Sequence, residues 1–194
     1  MGKFFGNLHL VLVVGLVLAV LLMYAFVGDT GTGAAEVTND VMRWLHVFFG
    51  ILWIGLLYYL NFVQVPTMPS VPAELKKGVT GYIAPKVLFF FRYAALLTVL
   101  TGLAIAAHTG YLVDALTFRG YGAVNLIGIG MWLALIMAFN VWFLIWPAQK
   151  KILGIVEASD EAKAKAAPIA LAASRTNVLL SLPMLYAMAS ANLG

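Results

Sequence analysis

Hydrophobic residues in this chain come in near-continuous runs of about twenty, the length an α-helix needs to cross a bilayer. Short segments rich in glycine, proline and charge separate them. A helix on the surface of a soluble protein would instead return a polar face about every 3.6 residues. The pattern predicts an all-α fold: a polytopic integral membrane helix bundle with about five transmembrane helices in one domain, 1–194. The spans fall at approximately 7–27, 41–64, 87–108, 123–146 and 168–193.

The punctuation between the runs sets these limits. Lys3 opens the first run, and a secretory signal peptide is the competing reading, with 28–35 as its cleavage region. The run is long for a signal core, so we take it as a retained helix. The Gly/Thr segment to Asp40 reads as a loop, with Thr38, Asn39 and Asp40 as caps for the second helix. Pro66, Pro69 and Pro72 are expected to end that helix near Gln64. Glu74, Lys76 and Lys77 suggest a short amphipathic piece, and Pro85-Lys86 introduces the third span. The fourth stops at Pro147, a polar connector follows to Lys165, and the last span is the least apolar.

Composition agrees with the pattern. The chain is 63% hydrophobic and 10% charged, where a soluble domain carries about 25% charge. The net charge of +4 does not point to nucleic acid, because the cations sit in short loops beside apolar runs. Lys76, Lys77, Lys86, Lys150, Lys151, Lys163 and Lys165 follow the second and fourth spans, against little beyond Arg43 and Arg119 on the other side. The positive-inside rule then expects the N-terminus on the cytoplasmic side and the C-terminus on the outer side. The chain has no cysteine. Iron–sulfur clusters, thiolate metal sites and covalent heme attachment are therefore excluded, and any metal or heme must be held by histidine, methionine or a carboxylate. No carboxylate lies at mid-depth in a span, which argues against a proton relay or cation transport.

Two constellations remain. His46 lies about one turn inside the second span, and an ionisable group there is costly to keep. Gly50 and Trp53 share its helix face. His108, at the far end of the third span, falls on the same side of the membrane. The pair could supply both axial ligands of a b-type heme, with Gly50 and Trp53 lining one side. Met131 or Met188 is an alternative second ligand. Equally, His46 could simply bond across a helix seam, with His108 at the water boundary. The second group gathers at the opposite ends of the spans: Asn61, Gln64, Arg92, Gln149 and Arg175. It reads as a site for a small anion, a quinone or a lipid head group, or else as positive-inside anchoring with inter-helix hydrogen bonds. Asn140, deep in the fourth span, must find a partner on another helix, and Gly128 and Gly130 mark close helix packing.

Several stretches resemble one family. Arg43-Trp44-Leu45-His46-Val47 with Trp53-Ile54-Gly55, Phe91-Arg92-Tyr93-Ala94 with Leu100-Thr101-Gly102, Asn140-Val141-Trp142-Phe143 with Pro147-Ala148-Gln149-Lys150-Lys151, and the segment from Ser174 to Ser190 occur in order. They are similar, over about 40–192, to the membrane domain of bacterial cytochrome-c-linked urate hydroxylases, the urate oxidase N-terminal family. The resemblance implies a membrane redox protein. The enzymes that define the family carry more spans and a Cys-x-x-Cys-His cytochrome c domain, so here the resemblance implies a separate cytochrome c. Thr176 stands where the family often has histidine. A Leu-His near a helix start is also similar, over a short pattern, to heme-dependent membrane protoporphyrinogen oxidases. Two other functions compete: an accessory subunit of a larger respiratory or photosynthetic membrane complex, and a small-solute transporter. Membrane lipids and a protein partner or a second copy are the expected neighbours. No pore-lining polar series supports the transporter.

Overall fold

In the computed structural model, which describes residues 2–30 and 33–191, every regular element among the described residues is helical. The chain divides into two compact units, Met1–Val41 and Met42–Gly194. In the first, α1 (Leu8–Thr30) opens with the Asn7 side chain accepting from the Leu10 N–H at 3.2 Å. The next helix, α2, covers Ala34–Tyr58 and crosses the boundary between the units. It begins earlier than expected. Thr38 donates back to the Ala34 carbonyl at 2.8 Å, so it sits inside the helix instead of capping it. Of the proposed cleavage region, Gly31 and Thr32 lie outside the described residues, as do positions 192–193 of the last expected span.

The second unit is built from the rest of α2, α3 (Ala84–His108), the short α4 (Leu112–Thr117), α5 (Ala123–Phe139) and α6 (Asp160–Ser190). Three of these helices run through prolines expected to bound them. A π-helical segment, Tyr59–Gln64, extends α2 through Val65–Thr67 into a 3-10 turn at Met68–Ser70. Val79–Ile83 leads from the helical Ala73–Gly78 into α3, and Asn140–Ile145 joins α5 to Trp146–Ile152. Each π segment ends two residues before a proline: Pro66, Pro85 and Pro147. A proline ring collides with the carbonyl four residues back and offers no N–H. Those carbonyls belong to Phe62, Gly81 and Phe143, each inside a π segment, whose wider turn moves the carbonyl aside. The helix therefore continues past each of the three, while α6 carries Pro168 and Pro183 inside it without a π segment.

The main core joins Trp53, Leu57 and Leu60 of α2 and its extension to Phe91 and Ala95 of α3, Met137 and Val141 of the α5 rod, and Ala173 and Met184 of α6. Apart from Met184, the face of α6 turned inward is small or polar: Ala166, Ala170, Ala173, Asn177, Ser181 and Ala187. This stripe explains why the last span is the least apolar. Small side chains let α5 and α6 approach closely, as helices in lipid do. A Cβ on Gly130 would stand 3.1 Å from that of Ala187, and one on Gly128 would run into the Ala115 carbonyl of α4. Helix α6 begins at Asp160, capped by Ser159, so the last part of the expected connector is helical; Lys163 and Lys165 pair there with Asp160 and Glu161. Among the described residues, five helical stretches are long and apolar enough to cross a bilayer: Leu8–Ala25, Ala34–Ser70, Ala73–His108, Ala123–Ile152 and Asp160–Ser190.

Candidate functional site

His46 is held by α3. Its Nδ1 lies 2.9 Å from the Thr98 carbonyl oxygen and 3.2 Å from Thr101 Oγ1. A carbonyl only accepts, so Nδ1 carries a proton, and in the neutral imidazole Nε2 keeps its lone pair. Thr101 gives its own hydrogen to the Leu97 carbonyl at 2.7 Å and is free to accept from His46. The ring comes close against α3 because position 102 is glycine: a Cβ there would come within 2.8 Å of His46 Cε1.

His46 borders two cavities of about 430 and 410 Å³ that share His46, Gly102, Met131 and Met188 among their walls. Volumes of this order hold small molecules and cofactors. The first runs between α2, α3, α5 and α6, and its walls include Gly50, Trp53 and Met184. Trp53 Nε1 is buried without a hydrogen-bond partner among the described residues. The second reaches Arg43 and Tyr111. Tyr111 follows α3, and burial raises its phenol pKa above the ordinary value, opposed by a hydrogen bond with Thr109 and the charge of Arg43.

Of the sequence-derived group, His46, Gly50 and Trp53 therefore meet at one cavity. His108 does not join them. It is exposed at the end of α3, six residues and about 9 Å of helix rise beyond Gly102, and lines neither cavity. The residues that orient His46, namely Thr98, Thr101 and Gly102, were not singled out as site residues. The signal was present: two threonines and a glycine on one face of a mainly apolar span, at spacing i, i+3, i+4.

The second group is partly dispersed. Arg92 is buried, and its Cζ stands 3.2 Å from the centre of the Trp146 ring. Asn61 donates to the Leu57 carbonyl at 2.9 Å and to Ser174 Oγ at 2.8 Å, while Arg175 is exposed on α6 and Gln64 and Gln149 are half-buried. Asn140 has the cross-helix partner it required. It donates to Asn177 Oδ1 at 2.8 Å, and Asn177 in turn donates to the Met137 carbonyl at 3.0 Å. Both Asn61 and Asn140 lie in π segments, so their side-chain networks sit where the helix ladder is interrupted.

The family model described as Urate oxidase N-terminal matches residues 94–194. The chain belongs to that family. The match takes in most of α3 and all of α4 to α6, including Thr98, Thr101 and Gly102 against which His46 packs, and the Asn140–Asn177 pair. His46 and Arg92 precede the matched segment. No curated protein and no solved structure matches the chain.

Proposed function

We propose that this member of the urate oxidase N-terminal family is a multi-pass protein of the bacterial inner membrane that binds a b-type heme through His46 Nε2. The observation that carries the reading is the contact of His46 Nδ1 with the Thr98 carbonyl at 2.9 Å. Nδ1 donates to a backbone carbonyl, and in the neutral imidazole this leaves Nε2 unprotonated beside an apolar cavity. A ligand histidine is commonly oriented in this way, with its other ring nitrogen donating to a carbonyl. The donor set fits the group. Met131 and Met188 are thioethers on the same walls, and Arg43 with Tyr111 offers polar partners for the propionates. The reading takes a methionine as second ligand in preference to His108. A heme bound there supplies one-electron redox chemistry, and histidine–methionine ligation raises its potential.

The chain's own residues do the rest. Thr98 and Thr101 orient the imidazole, Gly102 lets it lie against α3, and the apolar walls exclude water. A separate cytochrome c is the proposed electron partner, and the orientation is N-terminus cytoplasmic, C-terminus periplasmic, which puts His46 in the outer half of the membrane. Heme content per purified chain tests the assignment. It should approach one in wild type and in His108→Ala and fall to background in His46→Ala. Equal loss in both histidine variants would contradict the choice of ligand. An absence of heme in all three would favour the accessory-subunit function.

A further inference from the structure

Arg92 has no role in the His46 site, yet it is only 8% exposed. Its Nε and Nη1 are enclosed without a hydrogen-bond partner among the described residues. Beside it lies a third such donor, Trp142 Nε1, on a ring centred 5.8 Å from Arg92 Cζ. The guanidinium stacks on Trp146, and Lys150 Nζ stands 5.8 Å from the centre of the same ring. Two cations thus share one indole. The ion pairs among the described residues are Lys163–Asp160 and Lys165–Glu161, so neither cation has a carboxylate partner.

A buried guanidinium is costly unless its charge and its N–H groups are both met. The indole face meets part of the charge, but it accepts none of the in-plane hydrogen bonds. What satisfies Nε, Nη1 and the Trp142 N–H together, beside a second cation, is a group with several anionic oxygens. A quinone carbonyl is neutral and would leave the second cation unanswered.

We infer that Arg92, Trp142, Trp146 and Lys150 form a binding site for a phosphate-type oxyanion, carried either by an anionic lipid head group or by free phosphate. The π-helical segment Asn140–Ile145 ahead of Pro147 sets the phase at which Trp142 and Trp146 both meet α3. The site belongs to the ends of the spans where lysines concentrate, opposite to His46, so it does not depend on heme.

The test uses the full chain, purified in neutral detergent and stripped of lipid, with tryptophan fluorescence and the thermal midpoint as readouts. Phosphatidylglycerol is titrated in mixed micelles against phosphatidylcholine, and inorganic phosphate against chloride at matched ionic strength. A saturable response to phosphatidylglycerol alone assigns a lipid head group, and one to inorganic phosphate as well assigns a free anion. Either should weaken at least tenfold in Arg92→Gln and less in Arg92→Lys, which keeps the charge and loses the planar fork. Lys150→Gln, which leaves the stacked guanidinium in place, should weaken it severalfold, and Lys163→Gln should not. If Arg92→Gln does not fold, Arg92→Lys and Lys150→Gln decide. No saturable response in wild type, or a response unchanged in the folded Arg92 variants and in Lys150→Gln, overturns the proposal.

Discussion

A few side chains decide whether the His46 site exists, and they act by size as much as by chemistry. Gly102→Ala puts a methyl where His46 Cε1 lies 2.8 Å away. The ring must then leave the Thr98 carbonyl, at a cost of about 1–3 kcal/mol. Thermal unfolding in detergent should show that loss. Gly55→Ala is the control, since nothing stands within 4 Å of the added atom, and helix propensity alone predicts a gain of about 0.5–1 kcal/mol. In the other polar cluster, Asn177→Leu strands both Asn140 Nδ2 and the Met137 carbonyl, for about 1–3 kcal/mol. The double variant with Asn140→Leu should recover part of that loss, because removing both partners leaves fewer unmet groups. Tyr111 gives a sign for pH. Its phenol pKa is raised in the folded state, so the folded chain holds the proton more tightly than the unfolded one. Its stabilising contribution is complete below the unfolded value of about 10 and is lost as pH rises through the folded one. Unfolding measured across alkaline pH should therefore show less decline in Tyr111→Phe.

Helices are the scale at which sequence and structure part company most clearly. The runs of apolar residues located all the long helices, because length and hydropathy are local properties. Their ends were less legible. Pro66, Pro85 and Pro147 read as breakers, and proline rules treat an α-turn as the only alternative to a break. Here a π segment precedes each and the helix goes on. Nothing in a single sequence marks which prolines are accommodated, since the remedy depends on neighbours such as Ser174 and Asn177 that meet the interrupted region from another helix. Asn140 was legible as a cross-helix donor because an amide at that depth has no other solution. Its partner was not, because a contact across 37 positions is tertiary information. Packing between α4 and α5 gives a prediction at this scale. Gly128→Ala meets a backbone carbonyl that cannot swing away, whereas Gly130→Ala meets the methyl of Ala187 at 3.1 Å and the flexible end of Met188. Gly128→Ala should be the more destabilising by thermal melting in detergent, and equal effects would contradict the rigid α4–α5 contact.

For the molecule as a whole, the family assignment and the all-helical fold were both readable in advance, one from ordered motifs and the other from hydropathy. The gathering of His46, Thr98, Gly102, Met131 and Met188 around one cavity was not, because it joins positions from four helices. The proposed orientation has a simple test, as the chain lacks cysteine. A membrane-impermeant maleimide added to spheroplasts should label Tyr121→Cys and spare Glu157→Cys, both at exposed positions. The reverse pattern would invert the topology. The central claim concerns His46, and the measurement that reaches it most directly is the dithionite-reduced minus oxidised visible spectrum of freshly purified protein. Wild type and His46→Ala are compared side by side. The account predicts a b-type α-band in wild type that His46→Ala abolishes, while both proteins elute as folded species. A flat wild-type spectrum, or a band that survives unchanged in His46→Ala, would contradict it.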